Sequence, residues 1–548
     1  MLWWCLMEFL ASTRPVTVNE VLDGHVTLEV ESLDRLYLNL YVPTLQVSGQ
    51  AATFLGKYSG NPIPSPAIME RRGNRFRAAV HDFAEANAIP VLRFGKDERK
   101  IDAVHPLMER AETVGRDRVV AIGVVQEFQR VFTATKGENG HGAVWFDFYK
   151  ADRRVTCYYF YVWDQDFGPG FIKLCAYFPY PGKVWVNGHE WAKRQASRAG
   201  IEFTALSNGF ATCSDPAALQ AICDRLGPEH IQVFIERWLA RLPLPLDGRD
   251  REAGYWWQAS MRQIETSRTL VFDAPARARA FFEALIADNL DIGRPSNVEI
   301  LFKGNLAGRK STPPANGYRT AIDREVDGVV VNAFWKHSRI KQYLKDGRAL
   351  RIETVVNDPR DLGIYRRLEN LGALQAKSRA ANARLLHTER LGQSAVLESP
   401  AFARVSTPTV EDDGQRAPAL RFGDPRVMAL AGAMTAIVHT ITGTFTNKSL
   451  RAVVTALSET DYTSARMSYD LRRLRLKGLI QRQPRSNAYQ LTDDGLRFAV
   501  FYTKVHNRLL TPLLAADQPP APPEVRQALN VLAHHTDRSI ALARLQAA

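Results

Sequence analysis

Hydrophobic and polar positions follow two rhythms along this chain, and the way they alternate predicts an α+β molecule. Residues 26–30, 90–94 and 119–125 read as strands, while residues 74–88 place apolar side chains at helical spacing. Residues 155–180 (VTCYYFYVWDQDFGPGFIKLCAYFPY) form two aromatic and β-branched runs split by residues 164–170, the pattern of a hairpin. A short strand at 183–186 and a helix at 189–199 are expected after it. Further on, residues 349–356 alternate, with Leu350, Ile352 and Val356 on one face and Arg351, Glu353 and Val355 on the other. The preceding stretch, with His337, Arg339, Lys341, Tyr343 and Lys345, reads as a strand end or a helix before an Asp346-Gly347 turn.

The clearest periodicity runs from 425 to 514. An apolar helix at 427–440 leads to a second, capped by Thr446 or Asn447, with Leu450, Val453 and Leu457 at helical spacing. Thr463 or Ser464 can cap a third, whose Met467, Leu471 and Leu474 face inward while Ser468, Arg472, Arg473 and Arg475 fan outward. Gly478 ends it; strands at 479–482 and 488–491 flank a Pro-Arg-Ser-Asn turn, and Thr492 caps a closing helix.

At 548 residues the chain should hold about three to four domains. Proline, glycine and small polar residues gather at 242–248, 304–317, 406–418 and 515–523. The expected segments are an α/β part at 1–138, an aromatic hairpin part at 139–245, a basic α+β part at 246–418, the helical part at 419–515, and a proline-rich linker with a terminal helix at 516–548. The formal charge is +13, which favours a polyanionic partner. The surplus is local. Residues 301–390 hold 18 basic and nine acidic positions and residues 425–510 hold 13 and five, so these two stretches carry +17 and the remainder −4. Five cysteines are too few for a disulfide framework and fit a reducing cytoplasm. The opening MLWWCLMEFLAS lacks a basic lead and a cleavage site, so no secretion signal is read there, and Met1 or Met7 serves as the start. Residues 427–446 are uncharged and of spanning length, but five threonines, two glycines and His439 suit a buried helix and turn rather than a membrane segment.

Three helices, a two-stranded wing and a further helix, carried by LRRLRLKGLI, Arg482 and YQLTDDG, resemble the winged-helix DNA-binding domain. The resemblance covers about a sixth of the chain and implies that the helix at 464–477 enters the major groove, presenting Ser464, Arg466, Ser468, Arg472, Arg473, Arg475 and Lys477, while Arg482, Arg485 and Asn487 reach backbone or minor groove. Arginine on one helix face suits that role, because its fork fits both phosphate and guanine. Tyr343 and Lys345 followed by Leu350, Arg351 and Glu353 are similar to the Y-x-K and L-R-x-E segment of rolling-circle replication initiators. That resemblance implies Tyr343 as a nucleophile, Glu353 as a metal ligand, His337 as a second ligand, and Mg²⁺ or Mn²⁺ as cofactor. The chain lacks the His-x-His pair of those initiators. The residue-level alternative is a phosphate-gripping hairpin in which Lys341, Lys345, Arg348 and Arg351 hold backbone and Glu353 orients an arginine, with Arg339 also expected to contact DNA. Taken whole, the chain resembles a large group of bacterial proteins with no assigned activity.

Other patterns are weaker. Asp147, Asp164 and Asp166 lie near strong strands, as carboxylates of two-metal nucleases do, but Asp164 and Asp166 also suit the turn before Gly168. The string HEWAK, from His189, has Lys193 where a zincin helix needs histidine. The aromatic run from Tyr158 to Tyr180 could stack unpaired bases on one face, with its other face in the core. No phosphate loop, dinucleotide fingerprint, GxSxG elbow or paired CxxC occurs. The expected function is DNA binding, with RNA as another possible partner. The alternatives are a metal-dependent nicking enzyme, and a regulator that answers a ligand or partner without catalysis.

Overall fold

A computed structural model describes residues 24–61, 63–94, 98–138, 144–291, 318–325, 328–393, 400–410, 416–438, 442–458 and 462–507, with a few isolated positions besides. The breaks expected at 304–317 and 515–523, the start at Met1 or Met7, Cys5 and the tail at 516–548 lie outside the described runs. The fold is α+β, as the mixed rhythm predicts. The chain forms two compact units that are each discontinuous in sequence: residues 28–269 with 353–379, and residues 1–27 with 270–352 and 380–548.

In chain order, the elements up to the middle of the chain are β1 (Val26–Tyr41), α1 (Pro66–Ala86), β2 (Val91–Arg93), α2 (Lys100–Val114), β3 (Arg118–Glu138), β4 (Val144–Asp164), β5 (Gly168–Cys175), β6 (Gly182–Asn187), α3 (Gly188–Arg198), β7 (Phe203–Leu206), β8 (Gly209–Cys213), α4 (Pro216–Arg225), α5 (Pro228–Leu239) and β9 (Gln258–Phe272). Then follow α6 (Pro275–Asp291), β10 (Tyr318–Glu325), β11 (Gly328–Trp335), β12 (Ser338–Lys345), β13 (Ala349–Val356), α7 (Leu371–Gln393) and α8 (Pro400–Ser406). The C-terminal elements are α9 (Pro425–Val438), β14 (Thr444–Thr446), α10 (Asn447–Ser458), α11 (Ser464–Leu476), β15 (Ile480–Arg482), β16 (Ala488–Leu491) and α12 (Asp493–Val505).

The unit built around residues 28–269 is organised on a mixed sheet in which β9, β1, β6, β5, β4, β3 and β2 are neighbours in that order. The parallel pair is β2 with β3, and the hairpin of β3 and β4 runs from Arg118↔Trp163 to Glu138↔Val144. β1 shows why a half-buried strand forms. Leu28, Val30, Leu36, Leu38 and Leu40 fall at every second position and are buried, with Ser32 and Asp34 on the same inward face. The turn from β4 to β5 is built by Asp164, whose Oδ1 accepts from the Asp166 and Phe167 amides at 2.9 Å each, and Arg237 and Trp238 donate to its Oδ2.

In the other unit β10, β11, β12 and the first half of β13 pair in sequence order. Asp346 and Gly347, at φ 48° and 66°, form the left-handed two-residue turn that the sequence suggests. The stretch before it is a strand rather than a helix. The C-terminal helices enclose a core of Val427, Leu430, Met434, Leu450, Val454, Met467, Leu471, Leu474, Phe498 and Tyr502. Val454 takes the inward place expected of Leu457, which is exposed. Thr463 and Thr492 cap α11 and α12, and Gly478 at φ 69° turns the chain out of α11. Gly495 lets α12 approach the Leu479 carbonyl so closely that a Cβ would sit 1.9 Å from its oxygen. Strand β14 is an addition to the expected order; it pairs with β16, which pairs with β15. Among the described residues no helix is long and apolar enough to cross a membrane.

Candidate functional site

Helix α11 has one acidic residue, Asp470, and the fold turns it inward. Its carboxylate is buried and accepts from the Arg426 guanidinium and the Tyr462 hydroxyl, so the opposite face carries no negative charge. Burial, reinforced by its bond to Asp470, pushes the Tyr462 hydroxyl up to about 12, which keeps it a proton donor to that carboxylate. On the outer face, Ser464, Arg466, Ser468, Arg472 and Arg475 are exposed. Asn447 at the start of α10 donates to the Ser468 hydroxyl at 2.9 Å and to the Ser464 carbonyl at 3.1 Å, fixing the first turn of α11. Beyond it, Arg482, Arg485 and Asn487 are exposed around the turn from β15 to β16. Arg482 donates from Nε to the Ser486 carbonyl and from Nη2 to Asn487 Oδ1, which braces the turn, and Arg485 occupies its left-handed position at φ 54°. Arg466, Arg475 and Arg485 form no ion pair with the described residues.

Two residues expected on this face are not there. Arg473 is 8 % exposed, donates to the Pro418 and Ala419 carbonyls and lies 3.8 Å from Asp470. Lys477 is fully buried and donates to the carbonyls of Arg404 and Thr407 and to the Thr409 hydroxyl, at 2.7 to 2.9 Å. The reason is helical geometry: Arg473 follows Asp470 by three positions and Lys477 follows Arg473 by four, so all three share the inward stripe.

The central basic segment departs further from expectation. All eight residues of β13 are buried, so alternation there separates two covered faces rather than a wet one from a dry one. Arg351 is 0 % exposed and Lys345 is buried, and neither can grip phosphate from there. Arg348 is turned to the Phe272 carbonyl at 3.3 Å, Arg339 to Asn332 Oδ1 at 3.0 Å, and the Lys341 ammonium to the Tyr343 ring. Tyr343, expected as a nucleophile, is 5 % exposed on β12. Such a residue must meet its phosphodiester, and this one is packed in a sheet. It and the exposed His337 belong to the unit containing residues 270–352, whereas Glu353 belongs to the other.

Glu353 has different company. The buried carboxylates of Asp34, Glu265 and Glu353 have oxygens within 4.8 Å of one another. Asn208 donates to Asp34 Oδ1 at 2.5 Å, Gln263 donates to Glu265 Oε1 at 2.7 Å, and Arg35 lies about 4 Å from both Asp34 and Glu265. Oxygen ligands of this kind suit Mg²⁺ or Mn²⁺, and close carboxylates also share protons. An acidic trio alone names no reaction. Asp34 and Glu265 were not anticipated, although an acid at an inward position of the alternating β1 is a readable sign. No known protein family matches the chain, and no curated protein or solved structure does.

The remaining sequence candidates separate. Asp147 and Asp164 stand 17 positions apart on one strand, or about 55 Å at strand rise, too far to share a metal pair. Asp164 and Asp166 are turn and ion-pair residues, held by Arg237 and Arg198. Glu190 pairs with Lys193 and Arg194, and His189 is buried between the Ser32 and Ser267 hydroxyls. Of the aromatic run, Tyr158, Tyr159, Phe160, Tyr161, Trp163, Phe167, Phe178 and Tyr180 are buried, so packing accounts for them.

Proposed function

We propose that this chain binds duplex DNA through its C-terminal elements, with α11 in the major groove and the β15–β16 turn against backbone or minor groove, as in the winged-helix domains they resemble. One observation carries the reading: the exposed face of α11 presents Arg466, Arg472 and Arg475, while its one acid is withdrawn into the core with its own arginine. A helix face of that composition exchanges counterions for phosphates, and its affinity falls steeply with salt. The setting we propose is a reducing bacterial cytoplasm, as the few cysteines of the sequence suggest. A nicking activity finds no support in Tyr343, which is buried.

The test is binding of the full chain to a fluorescent duplex across a salt series. Replacing Arg466, Arg472 and Arg475 with alanine should lower affinity and reduce the salt slope by about one unit per lost phosphate contact. Unchanged affinity and slope would move the duplex site off α11.

A further inference from the structure

A second basic surface lies in the unit built on residues 28–269 and shares no residue with those assigned above. It is an open cleft of about 1100 Å³ where the end of β1, the start of β6, the start of β9, the middle of β3 and the loop of residues 357–370 meet. Six lining residues are basic and one, Glu369, is acidic. Arg366 is balanced by Asp358, to which it donates at 2.8 and 3.2 Å, but Arg130, Arg360 and Arg367 form no ion pair with the described residues. Lys183 and Arg262 both stand over the Tyr37 ring, bringing two cations to one aromatic. Burial and the neighbouring Arg262 and Lys173 pull the Lys183 ammonium down to about 8, and burial with Arg130 lowers nearby Lys150. The cleft thus crowds six cations against one lining acid, Glu369, with Arg366 alone answered by Asp358.

Two aromatic rings stand in this positive field with no packing to explain them. Phe128 is 73 % exposed and Tyr365 is 77 % exposed, and both line the cleft. Their backbones are held while their rings are not. Phe128 sits in the β3–β4 ladder opposite Arg154, and Asn370 donates to the Tyr365 carbonyl at 3.2 Å. The loop itself is pinned to β9 by the Ser260–Arg367 bridge and by the Met261 amide donating to the Arg366 carbonyl at 2.7 Å. Solvated rings held on a rigid frame cost apolar exposure unless a flat apolar partner covers them. Cations that follow a backbone, interleaved with rings that take base faces, are what an unpaired polynucleotide requires; a paired duplex hides those faces.

We propose that this cleft binds single-stranded DNA, with Phe128 and Tyr365 stacking on bases and Arg130, Arg262, Arg360 and Arg367 holding the phosphodiester backbone. DNA rather than RNA follows from the duplex reading of the C-terminal helices, and the cleft would then hold strand that has left the duplex.

The test uses the full chain with fluorescein-labelled oligo(dT), oligo(rU) and a duplex of equal length. F128A/Y365A should lower oligo(dT) affinity about 30-fold or more, the low end for losing two stacked bases, and leave duplex affinity within about twofold. R130A/R367A should lower it too and flatten its salt slope by about 1.4 for two lost contacts. Both rings are exposed, so melting temperature should not move, and Y365F should bind as the parent does. The α11 triple alanine variant should lose duplex and keep oligo(dT), so either reading can fail alone. Oligo(dT) affinity unmoved in both cleft variants, or lost equally with duplex affinity, overturns the proposal. Tighter binding of oligo(rU) than oligo(dT) overturns the choice of DNA.

Discussion

Residues 339–351 and residues 464–477 each hold five basic side chains and one acidic one, and the fold treats them in opposite ways. In the helical stretch the charges divide by angle. Arg466, Arg472 and Arg475 reach solvent, and Arg473 and Lys477 turn inward with Asp470. In the strand stretch Lys345 and Arg351 are buried, while Arg339, Lys341 and Arg348 are partly covered and turned to groups of the protein itself. A helix packed on one stripe always keeps an outer face. A strand keeps one only where the sheet leaves a side open, and β13 has none. Local charge density therefore predicts a docking surface only once the number of covered faces is known.

The sharpest way to break this comparison is to empty the buried member. Arg351→Ala should cost about 3 to 5 kcal/mol of stability, the range for removing one charge from a buried polar arrangement, read as a shift of the denaturation midpoint. The same change at Arg475 should leave the midpoint where it was. If Arg351→Ala instead unfolds at the parent's midpoint but binds duplex poorly, the central strands are a docking surface after all. Next in size, the triple alanine change at Arg466, Arg472 and Arg475 should lower duplex affinity on the order of 100-fold at moderate salt with the midpoint kept. Smaller again is Lys477→Met, which keeps most of the buried stem but strands the Arg404 and Thr407 carbonyls and the Thr409 hydroxyl. It should cost about 2 kcal/mol and leave the affinity of the folded protein intact. A loss of affinity at unchanged stability would place Lys477 on the outer face.

How legible each region was follows the same physics. The C-terminal order was readable because α11 has a one-sided apolar stripe, a capping threonine and a glycine stop, and α12 a capping threonine: Thr463, Gly478 and Thr492 do what their residue types suggest. The turn role of Asp164 was readable because the glycines that follow it demand one. The burial of Arg351 was not, since a strand pattern does not say whether its polar face meets water or another layer. The acidic trio was hidden for another reason: Asp34, Glu265 and Glu353 come from three strands far apart in sequence. The cleft was hidden similarly, although the positive excess of residues 301–390 holds Arg360 and Arg367, four and 11 residues past the end of β13.

Lys183 permits the finest adjustment, because its proton is held weakly for a physical reason. Burial disfavours the charged form first; Arg262 on β9 and Lys173 on β5 add repulsion, and Glu127 on β3 and Cys157 on β4 only partly offset it, leaving the ammonium at about 8. Glu127 itself is raised by burial, yet the bonds donated by Lys173, Tyr159 and Lys100 outweigh that and hold it at about 2, so it stays a carboxylate throughout the neutral range. The sign then follows. Below pH 8 the lysine is charged in the free protein and contributes to holding a polyanion. Above it the free protein has lost that proton, and binding must take one up, so affinity falls as pH rises through about 8 and onward toward the ordinary lysine range. For one phosphate contact the effect on oligo(dT) binding between pH 7 and 9 should be a few-fold. Lys183→Arg keeps its charge over that range and should flatten the profile. Duplex binding should not share the inflection, since the cations on the exposed face of α11 are all arginines. A flat oligo(dT) profile in a protein that still loses binding on Tyr365→Ala would show that strand passes over the rings and the arginines without reaching Lys183.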